Sequence, residues 1–549
     1  MVLLEFDKVS FAYPGAGSRS LDQVSFTMCE GEYLVVCGQS GCGKTTLLRN
    51  AKRELAPAGA REGVVFYRNT PLHQLDADIA AMEIGFVQQI PDNQIVTDFV
   101  WHELAFGLEN MALPTPIIRR RVSEMASFFG IETWFRKSVH ELSGGQKQMV
   151  NLASIMVMNP SLLILDEPTS MLDPIAARAL FDVIKRINKE LGVAVLLTEH
   201  RLEDVFPTAD RALIMQSGQI IADSSPAQVA KELAGFRERQ RIYFGLPAPA
   251  RIFSELGAVN EIPLTIRDAR TCLSKYMQGK TPQTSEFAPP SDQTRPNPVL
   301  RGRELWFRYT PDGADVLRGL DLSLEEEGIL CLLGGNGSGK TTLLKVLAGI
   351  VKPHRGKVKV SKSAKIAMLP QHPQSMFTRD TLLEDLLDSA DGDRNAVDSW
   401  AKRLEIDEFY DRHPFDLSGG EIQRAAICKL LTRGADTLLM DEPTKGLDAY
   451  IKRRLTGILR ELNKSGMALL IVTHDLEFAA SCAKRCALLF DGTIISEDTP
   501  HTFFAGNRFY TTAANQIARD YFPDAITCEE VIACCRTSFT ASAPLSRSG

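Results

Sequence analysis

Two stretches of this 549-residue chain obey one rule. Gly38-Gln-Ser-Gly-Cys-Gly43-Lys44-Thr45 and Gly334-Gly-Asn-Gly-Ser-Gly339-Lys340-Thr341 both read G-x-x-x-x-G-K-T. Glycines let consecutive backbone N–H groups curl around phosphate oxygens. The lysine reaches the outer phosphates, and the threonine hydroxyl can ligate Mg²⁺. Each stretch lies between an apolar run (33–37; 329–333) and a helix-like run (46–49; 342–347), the strand–loop–helix setting that the motif requires. Two copies in matching settings set coincidence aside. The fold must present two phosphate cradles, each at the end of a buried strand.

The copies belong to a repeat that covers most of the chain. Tyr13 and Tyr309 each precede their loop lysine by 31 residues. Leu142-Ser-Gly-Gly-Gln146 recurs as Leu417-Ser-Gly-Gly-Glu421, and Leu162-Leu-Ile-Leu-Asp-Glu-Pro168 as Thr437-Leu-Leu-Met-Asp-Glu-Pro443. Serine and aspartate are 23 residues apart in both copies, whereas lysine and serine are 99 apart in the first and 78 in the second. Length varies only in an insert, as expected if that insert meets a half-specific partner.

Each half is predicted to begin with short alternating strands (3–11; 304–309) and to carry a mostly helical insert (about 97–137; about 379–411). The runs 162–165, 193–198, 438–440 and 468–473 are almost continuously apolar, the mark of parallel strands buried on both faces. The predicted class is therefore α/β of the P-loop NTPase kind, with ligands at the carboxyl ends of the strands.

Residues 1–235 form the first ATPase domain in this scheme and 299–505 the second. The proline-rich stretch 281–298 reads as a linker. Pro263-Leu-Thr-Ile-Arg-Asp-Ala269 resembles Asp524-Ala-Ile-Thr-Cys-Glu-Glu-Val531, which predicts a small C-terminal appendage on each half, 236–280 and 506–537. Residues 538–549, rich in Ser, Ala and Pro, are expected to be a disordered tail.

Composition narrows the function. With a net charge of −6 there is no basic excess to suggest nucleic acid. Eleven cysteines without a C-x-x-C pair suggest reduced thiols in a cytosolic protein rather than a zinc site or a disulfide framework. Acidic residues appear by position 5, unlike a secretory signal, and no apolar run reaches the 18 or more residues of a membrane helix. Any membrane part of the process is expected to come from other subunits.

The remaining repeated motifs carry chemistry. Asp166-Glu167 and Asp441-Glu442 end apolar strands, so each strand delivers two carboxylates to the edge where its phosphate loop lies. One suits Mg²⁺, the other the polarisation of an attacking water. Glu199-His200-Arg-Leu-Glu203 and Thr473-His474-Asp-Leu-Glu477 follow the next strand, placing His200 and His474 as sensors of the outer phosphate. Ser143-Gly144-Gly145 and Ser418-Gly419-Gly420 open helices. A serine cap and bare glycine amides at a helix N-terminus form an anion site. Each half's own phosphate is already served by the lysine loop's helix, so the second anion site suggests two halves sharing ATP head to tail. Cys42 stands where the second loop has Ser338; it is a small residue that fits, and its closeness to Lys44 raises the prospect of a lowered thiol pKa.

Tyrosine, phosphate loop, Gln-x-Pro, Leu-Ser-Gly-Gly, Asp-Glu-Pro and late histidine stand in the order of the ATP-binding cassette (ABC) ATPases, which this chain resembles over nearly its whole length. The resemblance implies two ABC-type nucleotide-binding domains and hydrolysis of ATP with Mg²⁺. One ATP would lie on Tyr13, Gly38, Gln39, Ser40, Gly41, Cys42, Gly43, Lys44, Thr45, Thr46, Gln89, Asp166, Glu167 and His200, closed by Ser418, Gly419, Gly420 and Asp448. The other would lie on Tyr309, Gly334, Gly335, Asn336, Gly337, Ser338, Gly339, Lys340, Thr341, Thr342, Gln371, Asp441, Glu442 and His474, closed by Ser143, Gly144, Gly145 and Asp173. Thr45, Gln89 and Asp166, with Thr341, Gln371 and Asp441, are the implied Mg²⁺ residues, and Glu167, His200, Glu442 and His474 the catalytic ones. Two hydrolytic sites are expected, and no homodimer is needed because both halves share one chain.

The segment from Gln89-Ile-Pro-Asp-Asn-Gln to Gly-Leu-Glu-Asn110, the Glu199–Glu203 motif and Phe509-Tyr-Thr-Thr-Ala513 resemble the ATPases of energy-coupling factor (ECF) transporters. That resemblance implies a transmembrane coupling subunit and a substrate-binding membrane protein for a vitamin or for cobalt and nickel ions. The ATPase would be peripheral, on the cytoplasmic face of the membrane. Asp92 and the residues through Glu103 are the expected groove for a coupling helix, whereas Gln371-His-Pro-Gln-Ser-Met lacks the Asp-Asn-Gln. The alternatives are the tandem ATPase of a sugar-type importer and a soluble tandem ABC protein acting on ribosomes or DNA repair complexes.

Overall fold

The computed structural model describes every residue except 16, 171, 200–201, 236–240, 258–260, 283–297, 363 and 541–549. Most of the proline-rich linker and of the C-terminal tail, and His200, thus lie outside the described residues. The chain divides into two compact units, residues 1–250 and 251–549.

In the first unit the continuously apolar runs become a six-stranded sheet. Its spatial order is Ile84–Val87, Leu162–Asp166, Ala194–Thr198, Tyr33–Gly38, Arg211–Gln216, Gln219–Ser224, parallel except for the last pair. The four strands from Ile84–Val87 to Tyr33–Gly38 are buried at every position, as the absence of alternation predicted. A four-stranded antiparallel sheet contains Leu21–Cys29, Val2–Ala12, Ala60–Tyr67 and the short Thr70–Pro71. Phe6, Phe11 and Phe26 from that sheet share a core with Leu34, Val36 and Leu47, which fixes the phosphate-loop strand and helix against it. The insert folds as helices Val100–Asn110 and Thr115–Phe129, packed on the serine-capped helix Gly144–Met156.

The second unit repeats the plan. Its six-stranded sheet runs Ile366–Leu369, Thr437–Asp441, Ala468–Val472, Ile329–Leu333, Arg485–Phe490, Thr493–Asp498, the same order by position in the repeat. A three-stranded antiparallel sheet joins Leu317–Glu325, Pro298–Phe307 and Arg355–Val360. The shorter insert forms helices Leu382–Ser389 and Arg394–Leu404, packed on Gly419–Thr432.

Both appendage motifs fall in the second unit. Thr265 and Thr527 each cap a helix, Ile266–Met277 and Cys528–Thr537, accepting from the amides of Asp268 and Glu530. The weak sequence match therefore marks the same local structure twice. Helix Ile266–Met277 packs on Ala513–Ala518, and Lys280–Thr281 pairs antiparallel with Phe539–Thr540. Arg251–Glu529 and Arg536–Glu255 ion pairs tie the two segments together. The appendages expected on separate halves thus meet as one small subdomain.

Each sheet core also holds the segment that follows it. Glu203 accepts a hydrogen bond from the Ala248 amide (3.2 Å), and Glu477 from the Ala513 amide (2.9 Å). These glutamates are the last residues of the repeated His-x-Leu-Glu motif.

Candidate functional site

The phosphate loops come first because their backbone dictates what surrounds them. Gly43 and Gly339 have φ of 105° and 103°, a left-handed conformation that disfavours any side chain. A Cβ on Gly43 would fall 2.3 Å from the Ser20 carbonyl oxygen, so the loop also lacks room for one. The lysines that follow are buried and held across their own loops. Lys44 Nζ donates to the Gly38 and Gln39 carbonyls (3.0 and 2.9 Å), and Lys340 to those of Gly334 and Gly335 (3.0 and 2.9 Å). A cation folded back over its loop in this way is stored where phosphate oxygens would replace the carbonyls. The Tyr13 hydroxyl meets Thr46 (3.2 Å) and that of Tyr309 meets Thr342 (3.0 Å), which places both tyrosines at their loops.

The paired acids end the neighbouring strands as expected. In the first unit Thr45 donates to Asp166 (3.1 Å), Gln89 Nε2 to Glu167 (3.0 Å), and Lys44 Nζ lies 3.9 Å from Glu167. Phosphate loop, glutamine and both carboxylates thus converge. In the second unit His474 Nδ1 lies 2.9 Å from Glu442, and its amide donates to the same carboxylate (3.4 Å). Glu167 and Glu442 have φ of 44° and 53°, so each strand breaks into a left-handed turn just after its aspartate. Strain of this kind is sustained only where surrounding contacts over-determine it.

Burial governs the aspartates. It pushes the Asp166 carboxyl above the usual range, with the Glu167 charge adding and the Thr198 and Thr45 hydroxyls opposing. Asp441 is also raised, first by burial, with the Thr341 hydroxyl opposing and the Glu442 charge adding. A buried carboxylate beside a threonine hydroxyl and a phosphate loop fits a hard divalent cation, which takes oxygen ligands.

The serine caps are as the repeat predicted. Ser143 with Gln146 and Ser418 with Glu421 form capping boxes. A Cβ on Gly144 or Gly419 would meet nothing within 4 Å, so no neighbour crowds these positions. Asp173 and Asp448 cap the helices Pro174–Leu191 and Ala449–Lys464.

A family model described as ABC transporter matches residues 21–170 and 317–445, covering both phosphate loops, both serine-capped helices and both acid pairs. The chain belongs to the ABC transporter family. A Bacillus anthracis protein provisionally named an ABC transporter ATP-binding protein is 40% identical over 98% of this chain and 99% of its own. A Streptomyces coelicolor protein with the same kind of name is 34% identical over 90% of this chain and 93% of its own. Among solved structures, an archaeal ribosome recycling factor crystallised with a ribosomal stalk protein matches 91% of each chain with a TM-score of 0.59. At 21% identity it shares the fold alone. The protein is a tandem ABC ATPase that binds ATP.

Within this ABC ATPase two readings are narrowed. Cys42 follows the first of its readings, a small residue that fits the loop. It is buried, its sulfur would lie 2.4 Å from a Cβ on Gly38, and burial raises its pKa despite the pull of Lys44. Glu103 does not line an open groove. It turns inward, is 5% exposed, and accepts from the amides of Val96 (3.1 Å) and Thr97 (2.8 Å). One site residue escaped the motif search: Thr198, bonded to Asp166. Its only signal was a polar residue ending an apolar strand where the second ABC domain has Val472.

Proposed function

We propose that this tandem ATPase is the energy-coupling subunit of an ECF-type importer, driving uptake of a vitamin or of cobalt and nickel ions through separate membrane subunits. Each site would work on ATP with Mg²⁺. Asp166 and Asp441, with Thr45 and Thr341, would hold the cation, which neutralises charge on the phosphates when bound. Glu167 and Glu442 would polarise the attacking water, and His200 and His474 would sense the outer phosphate. The serine-capped helices would supply the further anion contacts expected of them.

One observation carries the importer reading. Ile90, Val96, Phe99 and Trp101 are 39%, 66%, 45% and 43% exposed in the segment that follows Gln89. Apolar side chains held in solvent beside polar ones mark interaction surfaces, and an amphipathic helix is the simplest partner for such a face. At the matching positions after Gln371 the second half has His372, Thr378, Thr381 and Leu383. Docking would therefore rest mainly on the first half. No helix among the described residues is long and apolar enough to cross a membrane, so passage of the substrate falls to the partners. The ATPase would sit peripherally on the cytoplasmic face.

The test is affinity purification of the tagged full chain from membranes, with mass spectrometry of what accompanies it. A small multi-spanning protein is expected, and its loss in a Phe99→Ser/Trp101→Ser variant that still binds ATP. Recovery of ribosomes would replace the proposal with the soluble reading. Recovery with a periplasmic-binding-protein system would replace it with a sugar-type importer.

A further inference from the structure

We propose that Thr198 is a positioning residue of the first ATP site, and that its absence from the second makes the two sites unequal in metal binding. The inference rests on the assignment of Asp166 and Asp441 to Mg²⁺ made above. Thr198 is the last residue of the strand Ala194–Thr198, in register with Asp166 on the neighbouring strand, and is fully buried. Its hydroxyl oxygen accepts from the Glu167 amide (3.0 Å) and donates to Asp166 Oδ1 (2.9 Å). Accepting from the amide fixes the hydroxyl rotor, so its hydrogen is committed to the aspartate. Thr45 donates to the same Oδ1 at 3.1 Å. Two hydroxyls on one oxygen hold the carboxylate at a set angle and leave Oδ2 as the free ligand.

The second half has Val472 in the same register with Asp441, equally buried. Val and Thr have nearly the same shape but differ by the hydroxyl. There the hydroxyl of Thr341 alone faces the aspartate, and nothing takes the place of the Thr198 hydroxyl. Its carboxylate is therefore held by one hydroxyl fewer than Asp166, at a cost in affinity. Partners that orient a ligating carboxylate typically change metal affinity or activity by roughly 10–100-fold. The two sites should differ by about that factor.

Titration of Mn²⁺ into the full chain with a non-hydrolysable ATP analogue, with free Mn²⁺ read by electron paramagnetic resonance, tests this without turnover. The wild type should show a tight and a weaker class. Thr198→Val should weaken the tight class by roughly 10–100-fold, Thr198→Ser should retain it, and Val472→Thr should tighten the weaker class. Valine already occupies this position in the second half, so Thr198→Val is compatible with the fold. A single class in the wild type would overturn the proposal. So would a Thr198→Val chain that keeps the tight class while Asp166→Asn loses it. If Asp166→Asn leaves both classes unchanged, the assignment of Asp166 to the metal falls, and the proposal with it.

Discussion

Replacing Lys429 by methionine should open the insert of the second ABC domain while leaving the first unaffected. Asp385 has a 1% exposed side chain and accepts from the amides of Thr378 and Arg379 (both 2.8 Å) and from Lys429, which also donates to the Met376 carbonyl (2.6 Å). Methionine keeps most of the packing but strips the hydrogen-bonded cation from a buried carboxylate. Breaking a buried pair from one side costs about 3–5 kcal/mol. Because two amide bonds remain, the lower end, about 3 kcal/mol, applies here. At 1.36 kcal/mol per tenfold, that is roughly a 150-fold loss of protection. Hydrogen exchange with mass spectrometry over residues 374–389 reads it directly as a local opening. The first half supplies the internal control: Glu103 takes the equivalent two amides, and Ser154 stands where Lys429 does. Peptides over residues 94–107 should not change. A Lys429→Met/Asp385→Asn double variant removes charge from both sides and should recover about 2 kcal/mol of the loss. A single-variant effect below about 1 kcal/mol, the range of exposed pairs, or a double variant no milder than the single, would refute the reasoning.

Three further outcomes follow from the sites. Glu167→Gln and Glu442→Gln should each lower steady-state ATP hydrolysis, and together abolish it, since general-base action is worth about 10²–10⁴-fold; undiminished turnover in Glu167→Gln beside none in Glu442→Gln would end the claim of two hydrolytic sites. Gly43→Ala should eliminate nucleotide binding at the first site, because it meets both a φ of 105° and a 2.3 Å approach to Ser20; equilibrium binding that still counts two nucleotides would contradict it. Cys42 should react with iodoacetamide far more slowly than exposed Cys29, with or without ATP, because only the thiolate is nucleophilic and burial disfavours it; rapid labelling that ATP blocks would restore the activated thiol.

Much of the site was legible because its chemistry is written in short, repeated spacings. The phosphate loops, Asp-Glu turns and serine caps each depend on a few consecutive residues, and their second copies confirmed the alignment. The parallel character of the sheets followed from the apolar runs, since continuous apolar strands mark a sheet covered on both faces. What stayed hidden depends on neighbours distant in sequence. Thr198 matters only because the sheet sets it beside Asp166. The prospect of an activated Cys42 rested on its proximity to Lys44, but burial raises its pKa. Glu103 looked like part of a docking face, yet the turn at Val96 and Thr97 draws it inward. The meeting of the two appendages is a contact across hundreds of residues, which no local pattern encodes.

The glutamates that close the His-x-Leu-Glu motifs bear on what each half can lose. Glu203 and Glu477 each grip the first amide of the helix beyond their own ATPase core, at Ala248 and Ala513. The same bond in the same place twice makes the start of each appendage part of the fold of its own core. The insert differs in length between the halves, whereas removal of an appendage would strip the glutamate of an amide that it holds in both.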